Sequence, residues 1–585
     1  MHISKIIRNF APKCMYNSLV MKRIISVFLM VTLSSTVAFA VVIHEHVTIG
    51  NLAYNLTEDT KEAYVVMDHG QYFDEQGNPL HNNYTALPEE LTIPESVEYN
   101  GLTYTVVGIG VMAFHDCERL ATVNIPKTMH SIDITCFLNC TAISAIYVDA
   151  ASLYFYAENG VLYSGDKKNL VYYPQAKSDI SVYTIPNGVE RILDMAVKNT
   201  SLDSIYMPNS VTTIGEYSFG DNNQLRAIRL SENLQTIEQA AFCGCDHLRS
   251  ITIPASVTEI SRFYTFALCK SLTKVTINSP VIGGQTYTTA DNLTERFGRQ
   301  VEEYVLAEGI PQVGEYAFYH TDSLRTITIP SSVESIATNA FEGCEKIKHV
   351  NLNSNAVINV KFNPNNYILA HIFGWGVEEY VLGDAITSIG KYAFYHCANI
   401  TSIRLPEHLT SIGESAFEGC TGLTGEFVFP EGIEVLNYYV IRYCSGITSV
   451  RLPNTLKEIW GYAFYGCTFT ELTLPASLTG IDWCGLANAP FTTLTCLAVN
   501  PPELGMDAFL ELDRPNIPLY VPAESVALYK NTAEWNKFNP ICAITNPQGI
   551  EDINDAIKAT KIIRDGQILI QKGEKTFDLQ GQELK

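Results

Sequence analysis

Cysteine is the residue whose spacing here most invites chemistry. Of the fifteen in the chain, Cys117, Cys140, Cys245, Cys269, Cys344, Cys397, Cys420, Cys444 and Cys467 occupy one place in a recurring A-F-x-x-C segment. On neighbouring strands such positions stand about 5 Å apart, which is disulfide range. A column of buried thiols packing as small hydrophobes gives the same spacing. We adopt that second reading because Thr321 replaces Cys without loss of the pattern. Cys243-Gly-Cys245 and the Cys136/Cys140 pair lack a second pair at zinc spacing. His44-Glu45-His46 would put two imidazoles on one strand face, but no third ligand accompanies them. The zinc-protease, nucleophile-elbow and phosphate-loop motifs are absent from the sequence. Glu302-Glu303 and Glu378-Glu379 sit at equal places of a duplication, which suits a scaffold better than an acid/base pair. The sequence therefore reads as non-catalytic, with no cofactor and no metal site.

What positions these residues is an internal repeat. Leu248-Arg-Ser-Ile-Thr-Ile-Pro-Ala-Ser-Val-Thr-Glu-Ile recurs as Leu324-Arg-Thr-Ile-Thr-Ile-Pro-Ser-Ser-Val-Glu-Ser-Ile. Further copies start at Ile400 and Ile447, and Val301-Glu-Glu-Tyr-Val-Leu returns as Val377-Glu-Glu-Tyr-Val-Leu. The unit is L-x-x-I-x-I-P-x-x-V-x-x-I-G-x-x-A-F-x-x-C. Its I-x-I alternation predicts one half-buried strand per coil, pairing with the next coil. Proline, lacking an N–H, ends that strand. The A-F-x-x-C segment then predicts a helical turn that drives Phe and Cys into the core. A coil of about 23 residues cannot bury its own apolar face, so coils must stack.

The wording I-P-x-S-V-x-x-I together with A-F-x-x-C, over 91–545, resembles the BspA-like leucine-rich repeat family. The resemblance implies an α/β leucine-rich repeat solenoid that is rich in β-structure. One short strand per coil would form a parallel sheet, with helical turns or extended segments opposite. It also implies a hairpin insertion near 154–183, marked by Asn159-Gly160, and a closing coil near 497–545. Coils at 278–300 and 353–376 are degenerate, and Thr321 and Asn222 stand where Cys is usual. Residues 41–90 read as an N-terminal cap.

Residues 1–40 carry five basic groups and no acidic one. Residues 1–20 read as an extension, and 21–40 as a secretory signal peptide: Lys22-Arg23, a short apolar run, then Ala38-Phe39-Ala40. Taking those five from 39 Lys+Arg leaves 34 against 62 Asp+Glu, a formal −28 for the remainder against −23 for the whole. That balance argues against nucleic acid and against anionic membrane surfaces. No later apolar run reaches spanning length, so insertion of the mature chain in a membrane is not expected. A polar linker at 546–560 precedes 561–585, whose alternation around Asp565-Gly566 and Lys572-Gly573 predicts two or three antiparallel strands. This tail resembles a type IX secretion sorting module of Bacteroidetes, which implies export to the cell surface or medium.

The middle residue of I-x-I points away from the core in every coil. Along the clearer coils this stripe includes Tyr206, Arg229, Thr252, Thr328, Arg404 and Arg451. Arginine binds carboxylates in a bidentate fork and tyrosine offers rigid contact area, so these six are the candidate binding residues. A solvated face chosen for strand propensity remains the alternative. The expected function is a secreted or cell-surface, monomeric binding protein. The resemblance implies adhesion to host matrix proteins or other cells; a glycan-binding accessory role is the alternative.

Overall fold

The computed structural model describes residues 43–68, 84, 87–365 and 367–544, together with the strands within 559–584. The signal peptide and most of the 546–560 linker lie outside the described residues. By compactness the chain divides into two units. One runs to Ile358 and includes Leu369–Gly383; the other comprises Asn359–Ile368 and everything from Asp384 onward.

Each unit is a parallel β-solenoid with little helix. The coil around Pro330 shows the plan. Its strand, Thr326–Ile329, buries Ile327 and Ile329 and leaves Thr326 and Thr328 half-buried. It pairs in register with His349–Leu352 of the next coil, Ile327 against Val350 and Ile329 against Leu352. Pro330 then ends the strand, and the chain crosses to a second, two-residue strand, Ser335–Ile336. That strand pairs in parallel with Gln312–Val313. The A-F-x-x-C side is built from consecutive tight turns. In three coils two non-glycine residues, two before and two after the Phe position, take left-handed conformations: Tyr316 and His320 about Phe318, Tyr392 and His396 about Phe394, Tyr439 and Tyr443 about Ile441. Each such residue costs about 1–2 kcal/mol. Hydrogen bonds to the next coil hold the turn in place, such as Phe318 N–H to Ala340 O at 2.8 Å and His320 N–H to Glu342 O at 2.9 Å.

Between strands and turns runs a column of rings. Phe219, Phe242, Phe266 and Phe297 stack at 5.3, 4.9 and 5.0 Å between centroids. The two degenerate coils keep this column going. Each enters a short helix, Pro280–Gly284 or Asn355–Ile358, and returns through another, Leu293–Phe297 or Leu369–Phe373. Phe297 and Phe373 occupy the place of the usual Phe; Phe373 meets Phe341 at 5.2 Å.

The ends and the insertion need different cover. Before the first coil, strands Ile43–Ile49, Leu52–Thr57 and Glu62–Val66 form an antiparallel meander. Its last strand pairs in parallel with Leu102–Ile109, so Tyr54, Leu56 and Val65 close the core over Val106 and Phe114. Strands Phe155–Glu158 and Val161–Ser164 form the inserted hairpin about Asn159-Gly160. The third strand of the insertion, Asn169–Tyr172, rejoins the coils by pairing with Arg191–Ile192. At the far end Leu519–Val521 pairs with Thr493–Cys496 and Ile541–Ala543. Trp535 seals this end, fully buried, against Phe509 and Tyr529. The tail forms a four-stranded antiparallel sheet, Ala559–Arg564, Gln567–Lys572, Lys575–Phe577 and Glu583–Leu584.

In three pairs of coils a ring and a glycine follow one another two residues after the Phe position: His320 and Gly343, His396 and Gly419, Tyr443 and Gly466. A Cβ at Gly419, whose φ is +75°, would lie 2.6 Å from the His396 ring of the preceding coil. Gly419→Ala should therefore destabilise by about 1–3 kcal/mol, from the left-handed backbone plus the clash. In the background of His396→Ala the loss should shrink but not vanish, read as the shift in urea midpoint. Phe242→Ala should cost about 3–5 kcal/mol by the same measurement, since it opens a gap in a stacked column.

Candidate functional site

The fourteen described cysteines are free thiols, and all but Cys542 are buried. Their geometry gives them a role beyond filling space. In the coils of Phe114, Phe242, Phe394 and Phe417 the Phe carbonyl accepts the N–H of its own coil's Cys and, from the next coil, a thiol. Thus the Phe417 carbonyl takes Cys420 N–H at 3.2 Å and Cys444 Sγ at 3.0 Å. Equivalent thiol bonds run from Cys140 to Phe114, Cys245 to Phe219, Cys344 to Phe318 and Cys420 to Phe394, at 2.9–3.2 Å. Asn222, at a Cys place, does the same with its amide, donating to Val197 O at 2.6 Å. The thiols are therefore hydrogen-bond donors to a buried backbone, and their burial disfavours the nucleophilic thiolate.

The paired histidines do not converge. A bulge in the first strand, with His46 at a left-handed φ, breaks the alternation that would put both on one face. His44 Nε2 meets Glu58 at 2.8 Å, whereas His46 Nδ1 faces Met67 O at 3.2 Å. Among the described residues no group of three His, Cys, Asp or Glu side chains is placed to hold a metal. No helix among them is long and apolar enough to cross a membrane.

On the strand face the candidate residues have separate fates. In the first unit Tyr206 and Arg229 are direct register partners, both exposed. No ion pair involving Arg229 is present among the described residues. Thr252 is exposed opposite Thr276. Thr328 is half-buried, and its hydroxyl oxygen accepts from the Asn351 amide at 3.0 Å. Arg404 and Arg451 belong to the second unit, where they border one groove of about 630 Å³.

That groove has a backbone cause. Strands Ser402–Arg404 and Gly425–Val428 belong to different hydrogen-bonded sheets. Gly425 opens its strand at φ +81°, and the register against Ile447–Arg451 slips there by one residue. A bulge of this kind widens the face locally. Leu405, Phe427, Val428 and Pro430 line the floor. The guanidinium groups are barely engaged: Arg404, 87% exposed, is 3.8 Å from Glu407, and Arg451, 64% exposed, is 3.9 Å from Glu426. Exposed contacts at that range are worth little. Several cations of the coils are instead paired closely with an acid one coil away, as in Lys274–Glu303, Lys348–Glu378 and Lys457–Glu434. Sequence reasoning found the two arginines but missed Phe427, Pro430 and His408. The one available signal was Gly425, which lengthens its coil.

Comparison with known proteins follows the same lines. A family model described as BspA type Leucine rich repeat region, in six copies, matches residues 89–164, 169–294, 297–364 and 370–491. No curated protein matches the chain. Among solved structures, a leucine-rich repeat protein from Bacteroides ovatus is 22% identical over 74% of this chain and 95% of its own, with a TM-score of 0.34. A leucine rich cell surface protein from Faecalibacterium prausnitzii is 22% identical over 77% of this chain and 96% of its own, at 0.31.

Burial sets how the thiols respond to pH. It pushes Cys117, Cys344 and Cys467 up from 9.0 to about 12. The folded chain then keeps protons that the unfolded chain releases above pH 9. Stability is thus full below about pH 9 and falls as pH climbs toward 12. Unfolding curves between those values should show the decline, and Cys344→Thr should make it shallower. Iodoacetamide at pH 8 should label Cys542 in the native protein and the coil thiols only after unfolding.

Proposed function

The chain belongs to the BspA-type leucine-rich repeat family, and from that premise we propose that it is an exported, surface-displayed adhesion protein. Its ligand is an extracellular protein, bound through the strand face. The observation that carries this reading is the groove between Arg404 and Arg451, where two weakly engaged guanidinium groups and the carboxylates of Glu407, Glu426 and Glu431 surround an apolar floor. Such a groove suits a protein segment of mixed charge with apolar side chains: the floor excludes water while the arginines supply forked donors to its carboxylates. Tyr206 and Arg229 offer a second contact of similar chemistry in the first unit. The signal peptide at 21–40 and the tail at 561–585 support export, the tail acting as a type IX sorting module that leads to surface attachment or release. The strongly acidic balance keeps the chain away from nucleic acid and anionic lipid. Glycan capture requires an aromatic platform, and Phe427 is the one Phe, Tyr or Trp that lines the strand-face groove.

The test is binding of the full chain to immobilised extracellular matrix proteins, beside a glycan array. Arg404→Glu with Arg451→Glu should weaken matrix-protein binding about tenfold or more, since charge reversal at a contact adds repulsion to the lost pair. Arg229→Glu should give a smaller loss. Unchanged binding by both variants would remove the strand face from the reading. A positive glycan array with silent matrix proteins would replace adhesion by polysaccharide capture.

A further inference from the structure

A second concave site lies on the flank beyond the two-residue strands, apart from the strand-face groove. Glu458, Gly480 and Glu503 are register partners in three consecutive coils. Gly480 has no side chain, and a Cβ there would meet only the Glu458 side chain, at 3.8 Å. The two exposed glutamates therefore border a gap. Beside it Tyr438 and Trp460 pack ring against ring at 5.1 Å. Both ring donors are already used. Tyr438 donates its hydroxyl to Asp482, two coils on, at 2.8 Å, and Trp460 donates Nε1 to Glu458 at 2.7 Å. Gly461 lets the Tyr438 ring lie close over the backbone, since a Cβ there would sit 3.2 Å from that ring. Together these residues enclose a cleft of about 430 Å³. It presents aromatic faces and the remaining carboxylate oxygens of Glu458, Asp482 and Glu503, and no Lys or Arg lines it.

Elsewhere the chain satisfies this same combination from within. The Arg442 guanidinium lies 4.5 Å from the Tyr443 ring centre and 5.0 Å from that of Tyr439, and pairs with Glu418 at 3.1 Å. Lys391 stands over Tyr392 at 4.8 Å and meets Glu414 at 2.6 Å. Lys198 stands over Tyr217 at 5.0 Å, with Asp221 at 3.6 Å. Each of these ring-and-carboxylate nests holds a cation of the chain itself. The physics is additive, since ring faces and carboxylates both attract positive charge. A neutral polyol could donate to these carboxylates but would leave their negative charge unpaired.

We propose that the cleft formed by Tyr438, Trp460, Glu458, Asp482 and Glu503 binds a basic side chain, best an arginine, presented by a protein partner. A planar guanidinium can stack on the ring pair while its fork reaches the carboxylates. The site is independent of the Arg404–Arg451 groove, so either can fail alone.

The experiment uses the full chain, immobilised at 0.15 M salt. The probes are a Gly/Ser peptide carrying three arginines and its twin carrying three citrullines, which keep the shape without the charge. The arginine peptide should bind at least about fivefold more tightly than the citrulline twin. Trp460→Ala and the double variant Glu458→Gln with Glu503→Gln should each weaken it about three- to tenfold. Glu407→Gln with Glu431→Gln removes as much charge from the other groove and should leave binding unchanged. The glutamates are solvent-exposed, so the double variant carries the test if Trp460→Ala fails to fold. The proposal is overturned if the arginine peptide does not bind, if citrulline binds equally, or if both double variants weaken binding alike. Binding of maltohexaose that is lost with Trp460→Ala would give the cleft to neutral sugars instead.

Discussion

Burying a tight turn leaves backbone carbonyls with no water to accept from, and the rest of this fold follows from how that problem is solved. The turn must enter the core because its Phe completes the aromatic column. Its carbonyl takes one N–H from its own coil and is then sealed in an apolar layer, where its second lone pair meets no water. The second donor comes from the next coil, and it must be short and small enough to leave the column packed. Cysteine meets all three demands, which is why it recurs at one place per coil. Asn222 meets them with an amide, so the place selects for a donor and not for sulfur chemistry. Coil spacing, ring stacking and thiol position are consequences of one another.

Much of this was legible because it repeats. The I-x-I strand, the proline stop and the Asn159-Gly160 hairpin each state their geometry locally, and the strands lie where the alternation puts them. The degenerate coils were harder. Their Phe297 and Phe373 arrive from short helices of a different wording, and only the matched spacing of Phe297-Gly298 and Phe373-Gly374 within the duplication hinted at their shared place. The turn side was read as helical from A-F-x-x-C, yet its left-handed residues are Tyr, His and Asn as often as Gly, so composition did not announce them. His44 and His46 illustrate the opposite failure: alternation was assumed where a bulge intervenes.

The binding residues were legible only in part, for a related reason. A stripe position says that Arg404 and Arg451 face outward; it says nothing of what stands between them. That depends on the slip at Gly425, one residue of irregularity in a regular ladder. The Tyr438–Trp460 cleft was invisible to periodicity, because its rings follow two-residue strands at places that differ from coil to coil. In a repeat protein the regular positions describe the scaffold, and the departures mark where the surface becomes individual.

The alternation of rings and glycines after the Phe has a further implication, for how such a chain can grow. His320 sits over Gly343, His396 over Gly419 and Tyr443 over Gly466, so consecutive coils are unlike halves of a matched pair. Inserting or deleting one coil would set ring upon ring or leave glycine facing glycine. The duplication in this sequence respects that grammar: His396-Gly419 repeats His320-Gly343 at an offset of 76 residues, partner with partner. The heritable module is therefore larger than the visible repeat, since the three coils of Phe297, Phe318 and Phe341 return together as those of Phe373, Phe394 and Phe417.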